Sequence, residues 1–309
     1  MFKGTKETTN TFNQKLYLSK WTIGICQGTA VEDIVRSRSF DPEIRWMKTA
    51  TREFIADPFP LAAGPDQVTI LCETLSFKEN YGTISLLQAN RNMEELGRKT
   101  LVDTKSHLSY PFVFTENGQH YVFPESRQSG KLSCYRYDPL TTTMTFLTDI
   151  LREPLLDATI VRNENTYWLF GCISSGSGRQ YELHLYSSGS LLGPYEPHAG
   201  NPVKRGADGV RPAGNFISVD GILYRPAQNC KRQYGESVTI HRVNRLSADS
   251  FGEEPWVDVR INPGRRCNRG MRTLHTINAA GNDCIIDGEY AVFAPWYRFK
   301  TFISKKGIR

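Results

Sequence analysis

The chain has 309 residues, 39% of them apolar and 23% charged, and a formal net charge of +6. That composition can bury a large core and excludes a disordered, fibrous or collagen-like chain. No run approaches the roughly 18 apolar residues that span a bilayer. The seven cysteines include no C-x-x-C pair, and no basic run precedes the terminal "KKGIR". A zinc knuckle, a disulfide framework and a nucleic-acid binder are therefore poor descriptions of it.

The first segment, "MFKGTKETTNTFNQ", is polar and lacks the apolar stretch of a secretory signal, so the expectation is a polar tail over 1–20 on a cytoplasmic protein. "KWTIGICQG" then reads as a strand without a copy elsewhere, and "TAVEDIVRS" and "NRNMEELGRK" are the only candidate helices. Five segments share one grammar: "IADPFPLAAGPDQVTILCETLS", "LSYPFVFTENGQHYVFPESR", "LLDATIVRNENTYWLFGCIS", "GVRPAGNFISVDGILYRPAQN" and "RTLHTINAAGNDCIIDGEY". In each, an apolar strand enters a turn of Gly, Asn or Asp, and a second apolar strand follows. Alternating third strands such as "YGTISLLQ" and "QYELHLYSS" come after several of them. A repeat of about 50 residues lies in the range of propeller blades. The pattern predicts an all-β fold, a single five-bladed β-propeller over 21–298 followed by a basic tail over 299–309. The N-terminal strand would complete the last blade, close the ring and remove an open sheet edge. A β-sandwich with coincidental hairpins is the competing reading.

Aligning the copies places Asp57, Tyr110, Asp157, Arg211 and His275 at one register, on strands that would face the propeller axis. An ordinary core would carry Val or Ala there, because an unpaired buried charge costs several kcal/mol. Their shared register points to a site. A second layer, Glu73, Glu125, Gln228 and Asp287, ends the second strands, and Glu236 opens a third strand. Several carboxylates around one axis suit general acid/base chemistry on a glycosidic bond, with burial and crowding pushing their pKa values apart. Arg127, Arg211, Arg225 and Arg272 flank these positions and suit phosphate or carboxylate, and Asn215 of "PAGNF" joins them on the substrate side. Each residue also has a bland role: turn aspartates at Asp57 and Asp157, a core histidine at His275, strand-end carboxylates at Glu73 and Glu125, neutralising arginines. No P-loop or dinucleotide fingerprint is present, and "SSGSGRQ" reads as a blade connection.

The five-unit pattern with "ADPF" at Asp57 and "LLDATI" at Asp157 resembles the five-bladed propeller superfamily of furanosidase-type carbohydrate enzymes, glycoside hydrolase families 43 and 32. "CETLS", "FPES" and "DGVRPAGNF…YRPAQNC…YGESV" are more particularly similar to the propeller domain found N-terminal to the transferase domain of plant glucosamine inositolphosphorylceramide transferases, over Trp21 to Pro295. The resemblance implies Asp57 as general base, Asp157 as the residue that orients the acid, and His275 as an organiser of the site. It requires no cofactor, although a hydrated Ca²⁺ on the axis near His275 and Asp157 would suit it. The sequence departs from the pattern in blade four, where the family's acid is a glutamate and Arg211 stands instead. An arginine cannot give up its proton, so either Glu236 or Glu125 supplies the acid or the chemistry is not simple hydrolysis. The expected function is a carbohydrate-active enzyme that makes or breaks a glycosidic bond by transfer, phosphorolysis or hydrolysis. Its substrate would be an anionic or phosphate-bearing sugar, glycoside or nucleotide sugar, with a transferase domain or protein as associate. A non-catalytic module for a sugar or glycolipid head group is the alternative, and a protein-interaction propeller a third.

Overall fold

A computed structural model describes residues 17–50, 52–176 and 179–294. β1 (Tyr17–Cys26) is followed by helix α1 (Val31–Ser37) and the short β2 (Arg45–Trp46). Blade I comprises β3 (Glu53–Ala63), β4 (Gln67–Ser76), β5 (Gly82–Asn90) and β6 (Glu95–Val102); blade II comprises β7 (Ser109–Glu116), β8 (Gln119–Glu125), β9 (Leu132–Asp138) and β10 (Thr143–Leu151). Blade III contains β11 (Leu156–Asn163), β12 (Thr166–Ser174), β13 (Tyr181–Ser188), β14 (Glu196–Pro197) and β15 (Lys204–Gly206). Blade IV contains β16 (Asp208–Pro212), β17 (Ile217–Val219), β18 (Ile222–Asn229), β19 (Ser237–Leu246) and β20 (Phe251–Val259). β21 (Met271–Thr273), β22 (Ile277–Ala280) and β23 (Asp283–Phe293) form blade V together with β1 and β2.

Each blade is an antiparallel sheet, and the five form a β-propeller rather than a sandwich. β1 pairs with β23 from Tyr17↔Phe293 to Cys26↔Cys284, so the first strand closes the ring. Tyr17–Lys20, expected in the tail, already belong to this strand, while residues 1–16 and the basic tail 299–309 lie outside the described residues. Apolar clusters fill the wedges between blades: Phe59, Phe112 and Leu169 between blades I, II and III, and Ile25, Ile70 and Ile285 between V and I. Burying such side chains contributes about 1.5–3 kcal/mol each. All seven cysteines are free, and all but Cys267 are buried.

Of the two candidate helices, α1 forms. Val31, Ile34 and Val35 share one buried face against blades IV and V, with Glu32 and Asp33 in the first turn where the helix dipole favours acids. "NRNMEELGRK" is instead a turn and the edge strand β6. Asn90 Oδ1 accepts the backbone N–H groups of Asn92 and Glu94 at 2.9 and 3.0 Å, and Met93 is left-handed at φ 61°. That local capture by an asparagine outcompetes the helix, whose start would need those groups.

The inner strands break their pairing at the hub. The ladders skip between Ala56 and Phe59, between Ser109 and Phe112, and between Leu156 and Thr159. Asp57, Tyr110 and Asp157 sit in these bulges with φ of 52°, 41° and 51°. Pro58 and Pro111 have no N–H to give the ladder, which explains two of the three breaks. A left-handed non-glycine residue costs roughly 1–2 kcal/mol. A carboxylate of the preceding blade catches each freed N–H and offsets that cost: Asp57 N–H donates to Asp287 at 3.0 Å, Tyr110 N–H to Asp57 at 3.1 Å, and Asp157 N–H to Glu125 at 3.3 Å. The aligned polar residues are thus partly stitches between neighbouring blades.

Candidate functional site

A cavity of about 680 Å³ lies at the hub, with walls drawn from all five blades. Asp57 and Glu73 come from blade I, Ser109, Glu125 and Arg127 from blade II, Leu156 from III, Arg211 and Tyr234 from IV, and His275 from V, where Trp21 of the closing strand joins it. Asp57, Glu73, Glu125 and His275 are each no more than 6% exposed.

Electrostatics divide this cluster. Asp57 Oδ2 accepts the Tyr110 N–H and Oδ1 accepts the Thr276 hydroxyl at 2.9 Å. Burial raises its pKa to about 6, against the pull of His275 and with the push of Asp287. For His275, burial works to lower the pKa, but Asp287 and Asp57 outweigh it and the net shift is upward. Its Nδ1 lies 2.7 Å from Asp287 Oδ2 and 3.7 Å from Asp57 Oδ1, so that nitrogen carries a proton. Burial pushes Glu73 well above the usual carboxylate range, and Asp57 and Glu125 add to it. Glu125 is also pushed well up by burial and Asp157, with Arg211 opposing.

Several expected site residues do other work. Asp157 does not line the cavity; both its oxygens hold Arg211, at 2.6 and 2.9 Å, and Oδ2 takes an N–H of Gln228 at 2.9 Å. Arg211 is thereby aimed at the cavity, and Gln228 supports it at one remove. Tyr110 is fully buried off the cavity lining, its hydroxyl accepting the Gly214 N–H at 2.7 Å and pairing with Thr159 at 2.9 Å, so it ties blades together. Arg225 is 1% exposed and clamps Glu253 through two hydrogen bonds of 2.8 and 2.6 Å within blade IV. Asn215 gives its backbone N–H to Asn278 and Arg272 is exposed; neither lines the cavity. Glu236, expected as a candidate acid, sits apart from the hub cavity. It is bound by Arg232 and Arg260, and the Arg232 hydrogen bond leads in holding its pKa near 2. Of the four arginines flanking the aligned positions, only Arg127 and Arg211 reach the cavity.

The donor set does not fit a hydrated calcium. Asp57, His275 and Asp287 offer ligand atoms within 4.8 Å of one another. Yet Asp287 Oδ1 already accepts the N–H groups of His275 and Thr276 at 3.0 Å each, and Oδ2 accepts those of Asp57 and His275 Nδ1. Asp157 is taken by Arg211 and Gln228. Ca²⁺ asks for six to eight oxygens with free lone pairs; here those of Asp287 and Asp157 are already taken by N–H donors.

Trp21, Tyr234, His107, Ser109 and Gln128 line the cavity without having been singled out from the sequence. Trp21 stacks on His275 with centroids 3.9 Å apart at 19°, and Tyr234 meets His275 edge-on at 5.3 Å. Trp21 was findable, because it lies in the one strand that has no copy. Tyr234 lies between β18 and β19, where no period applies. His107 Nδ1 accepts the Gly82 N–H at 2.9 Å, which leaves its proton on Nε2, 3.7 Å from Glu73 Oε1. A Cβ on Gly82 would stand 2.3 Å from Leu108 O and 2.5 Å from Glu73 Oε1. Gly82→Ala is therefore expected to lower stability by about 1–3 kcal/mol in a denaturant titration; an unchanged midpoint would show this wall to be pliant.

A five-bladed wheel with a polar, aromatic-walled pit at its hub places the chain among the five-bladed β-propeller domains. A family 117 glycoside hydrolase of the marine bacterium Zobellia galactanivorans shares the fold, with a TM-score of 0.55 over 91% of this chain and 92% of that one, at 12% identity. Residues 45–283 match the family described as glucosamine inositolphosphorylceramide transferase 1, N-terminal, and the chain belongs to that family. Glucosamine inositolphosphorylceramide transferase 1 of Arabidopsis thaliana is 34% identical over 231 residues, 72% of this chain and 30% of that protein. Its counterpart in Oryza sativa subsp. japonica is 31% identical over 250 residues, 76% of this chain and 33% of the relative. The chain thus spans about a third of the length of these relatives. Among the described residues no helix is long and apolar enough to cross a membrane.

Proposed function

We propose that the hub cavity is a glycosyl site in which a glycosidic bond is made or broken, with Asp57 as the general base. The observation that carries this is the set of buried carboxyl groups in one pit whose surroundings hold protons to different degrees. Asp57, near 6, is mostly ionised at neutral pH, whereas Glu73 and Glu125 are driven toward their neutral forms. Such a split is what acid/base chemistry needs. Tyr234, exposed at the cavity wall, offers aromatic surface for a sugar ring beside the Trp21 edge, and Arg127, also exposed there, faces it with a guanidinium suited to phosphate or carboxylate. The relatives' name speaks of a glucosamine and an inositol phosphoryl lipid, and an anionic glycosyl substrate agrees with both features.

Turnover of nucleotide sugars and aryl glycosides, followed against pH, tests the reading. A base must be ionised, so kcat/KM is expected to fall about tenfold per pH unit below roughly 6 and to level off above it. A flat profile through that range removes Asp57 from the chemistry. A second reading, a non-catalytic head-group binder, draws on the structural duties of Asp57, Glu125 and Asp287 as catchers of backbone N–H groups. Tight binding of a glycolipid head group with no turnover of any donor would favour it.

A further inference from the structure

We infer that Glu73 is the proton donor of the pit, delivering its proton to the leaving oxygen of the glycosidic bond, a duty that Arg211 leaves without an owner in blade IV. This rests on the proposed glycosyl chemistry. Glu73 lies three residues from the end of β4, and its strand partner Ala56 is the residue before Asp57, so donor and base project into the cavity from adjacent rows of one blade. Its side chain is 7% exposed, and Oε1 is buried with no hydrogen-bond partner among the described residues. A buried acceptor left empty costs about 1–3 kcal/mol, and more if charged, so the oxygen is one that a ligand or a proton should occupy. No arginine or lysine pairs with it among the described residues; its nearest basic neighbour, His107 Nε2, stands at 3.7 Å, and burial lowers the pKa of that imidazole, leaving it neutral.

The other carboxyl groups are committed. Glu125 Oε2 takes the Asp157 N–H at 3.3 Å and lies 3.8 Å from Arg211 Nη2, a neighbour that favours its ionised form. Asp57 and Asp287 hold backbone N–H groups, and Glu236 is outside the cavity. Glu73 combines burial, a face on the cavity and a buried oxygen that accepts no hydrogen bond among the described residues. With water as acceptor, Asp57 removes a proton from the water, whose oxygen forms the new bond to the sugar's anomeric carbon. The old carbon–oxygen bond breaks, and its electron pair stays on the departing oxygen, which takes the Glu73 proton. A sugar hydroxyl replaces water in transfer. The two carboxyl groups then restore each other's state through solvent at the mouth, where His107 is 35% exposed.

The test uses the full chain with aryl glucosaminides and aryl arabinofuranosides graded in the acidity of the phenol released. For Glu73→Gln the loss in kcat is expected to be about 10²–10⁴-fold for the poorest leaving group and to shrink steadily as the phenol becomes more acidic, steepening the leaving-group dependence. A loss equal across the series, in an active enzyme, overturns the inference while leaving the glycosyl reading intact. Isotope-edited infrared spectroscopy of glutamate-labelled protein gives an independent arm. A protonated-carboxyl band at neutral pH that disappears in Glu73→Gln supports the proposal, and a Glu73 ionised at neutral pH overturns it whatever the rates show. If wild type and Asp57→Asn bind sugar but neither turns over any member, the glycosyl chemistry itself fails and the donor role falls with it.

Discussion

Asp287→Ala is expected to destabilise the propeller by about 3–5 kcal/mol, seen as a lowered denaturant midpoint. Asp287 is wholly buried in β23 and accepts from four donors: the N–H groups of Asp57, His275 and Thr276, and His275 Nδ1. Alanine would strand three backbone groups and the charged side of an imidazole in a dry interior. Two of those groups sit in the irregular connection between β21 and β22, and the third belongs to the left-handed Asp57, so blades V and I would lose their shared anchor together. A pH signature should accompany the loss. His275 has a raised folded pKa, so its contribution is complete below its unfolded value and is lost as pH rises through the folded one. Without Asp287 that alkaline loss should begin at lower pH. A midpoint within about 1 kcal/mol of wild type would mean that the freed groups find other partners.

The second large effect belongs to the chemistry. Asp57→Asn should lower kcat by about 10²–10⁴-fold while leaving the fold and the binding of sugar nearly unchanged. The amide has the shape of the carboxylate, and its oxygen can still accept the Tyr110 N–H. The Thr276 hydroxyl, which now donates to Oδ1, can rotate and accept from the new NH₂ group. His275 keeps Asp287 as its nearer carboxylate, so the hub stays neutralised. What disappears is the ability to take a proton at neutral pH. A variant as active as wild type would remove Asp57 from catalysis, and a variant that unfolds would show it to be chiefly a stitch between blades.

Much of the architecture was legible because each blade repeats one pattern, a strand, a Gly/Asn/Asp turn and a second strand. The repeat fixed the inner-strand register well enough that Asp57, Tyr110 and Asp157, read as equivalent, share the same bulge and the same left-handed backbone. Register states that a side chain is near the axis, but not whether it faces the cavity or a neighbouring blade. Tyr110 went to Thr159 and Gly214, and Asp157 to Arg211. Those outcomes depend on partners far away in the chain, which a one-dimensional pattern cannot pair. Arg225 likewise turns to Glu253, a strand beyond its neighbour, whereas the leading partner of Glu236, Arg232, lies only four residues away in the loop before β19. The helix expected at "NRNMEELGRK" failed because one asparagine side chain, Asn90, held the backbone that a helix would have needed.

The pairing of β1 with β23 reaches beyond sealing an edge. Trp21 belongs to β1, yet it stacks on His275 and forms part of the cavity wall. The cavity wall is consequently unfinished until the two ends of the described chain have met. A ligand that needs that indole recognises the assembled ring alone, and by mass action draws the population toward it. Affinity and ring integrity then become a single measurable quantity, so a substitution that loosens the seam, far from any sugar, should weaken binding in proportion to how often the seam is open.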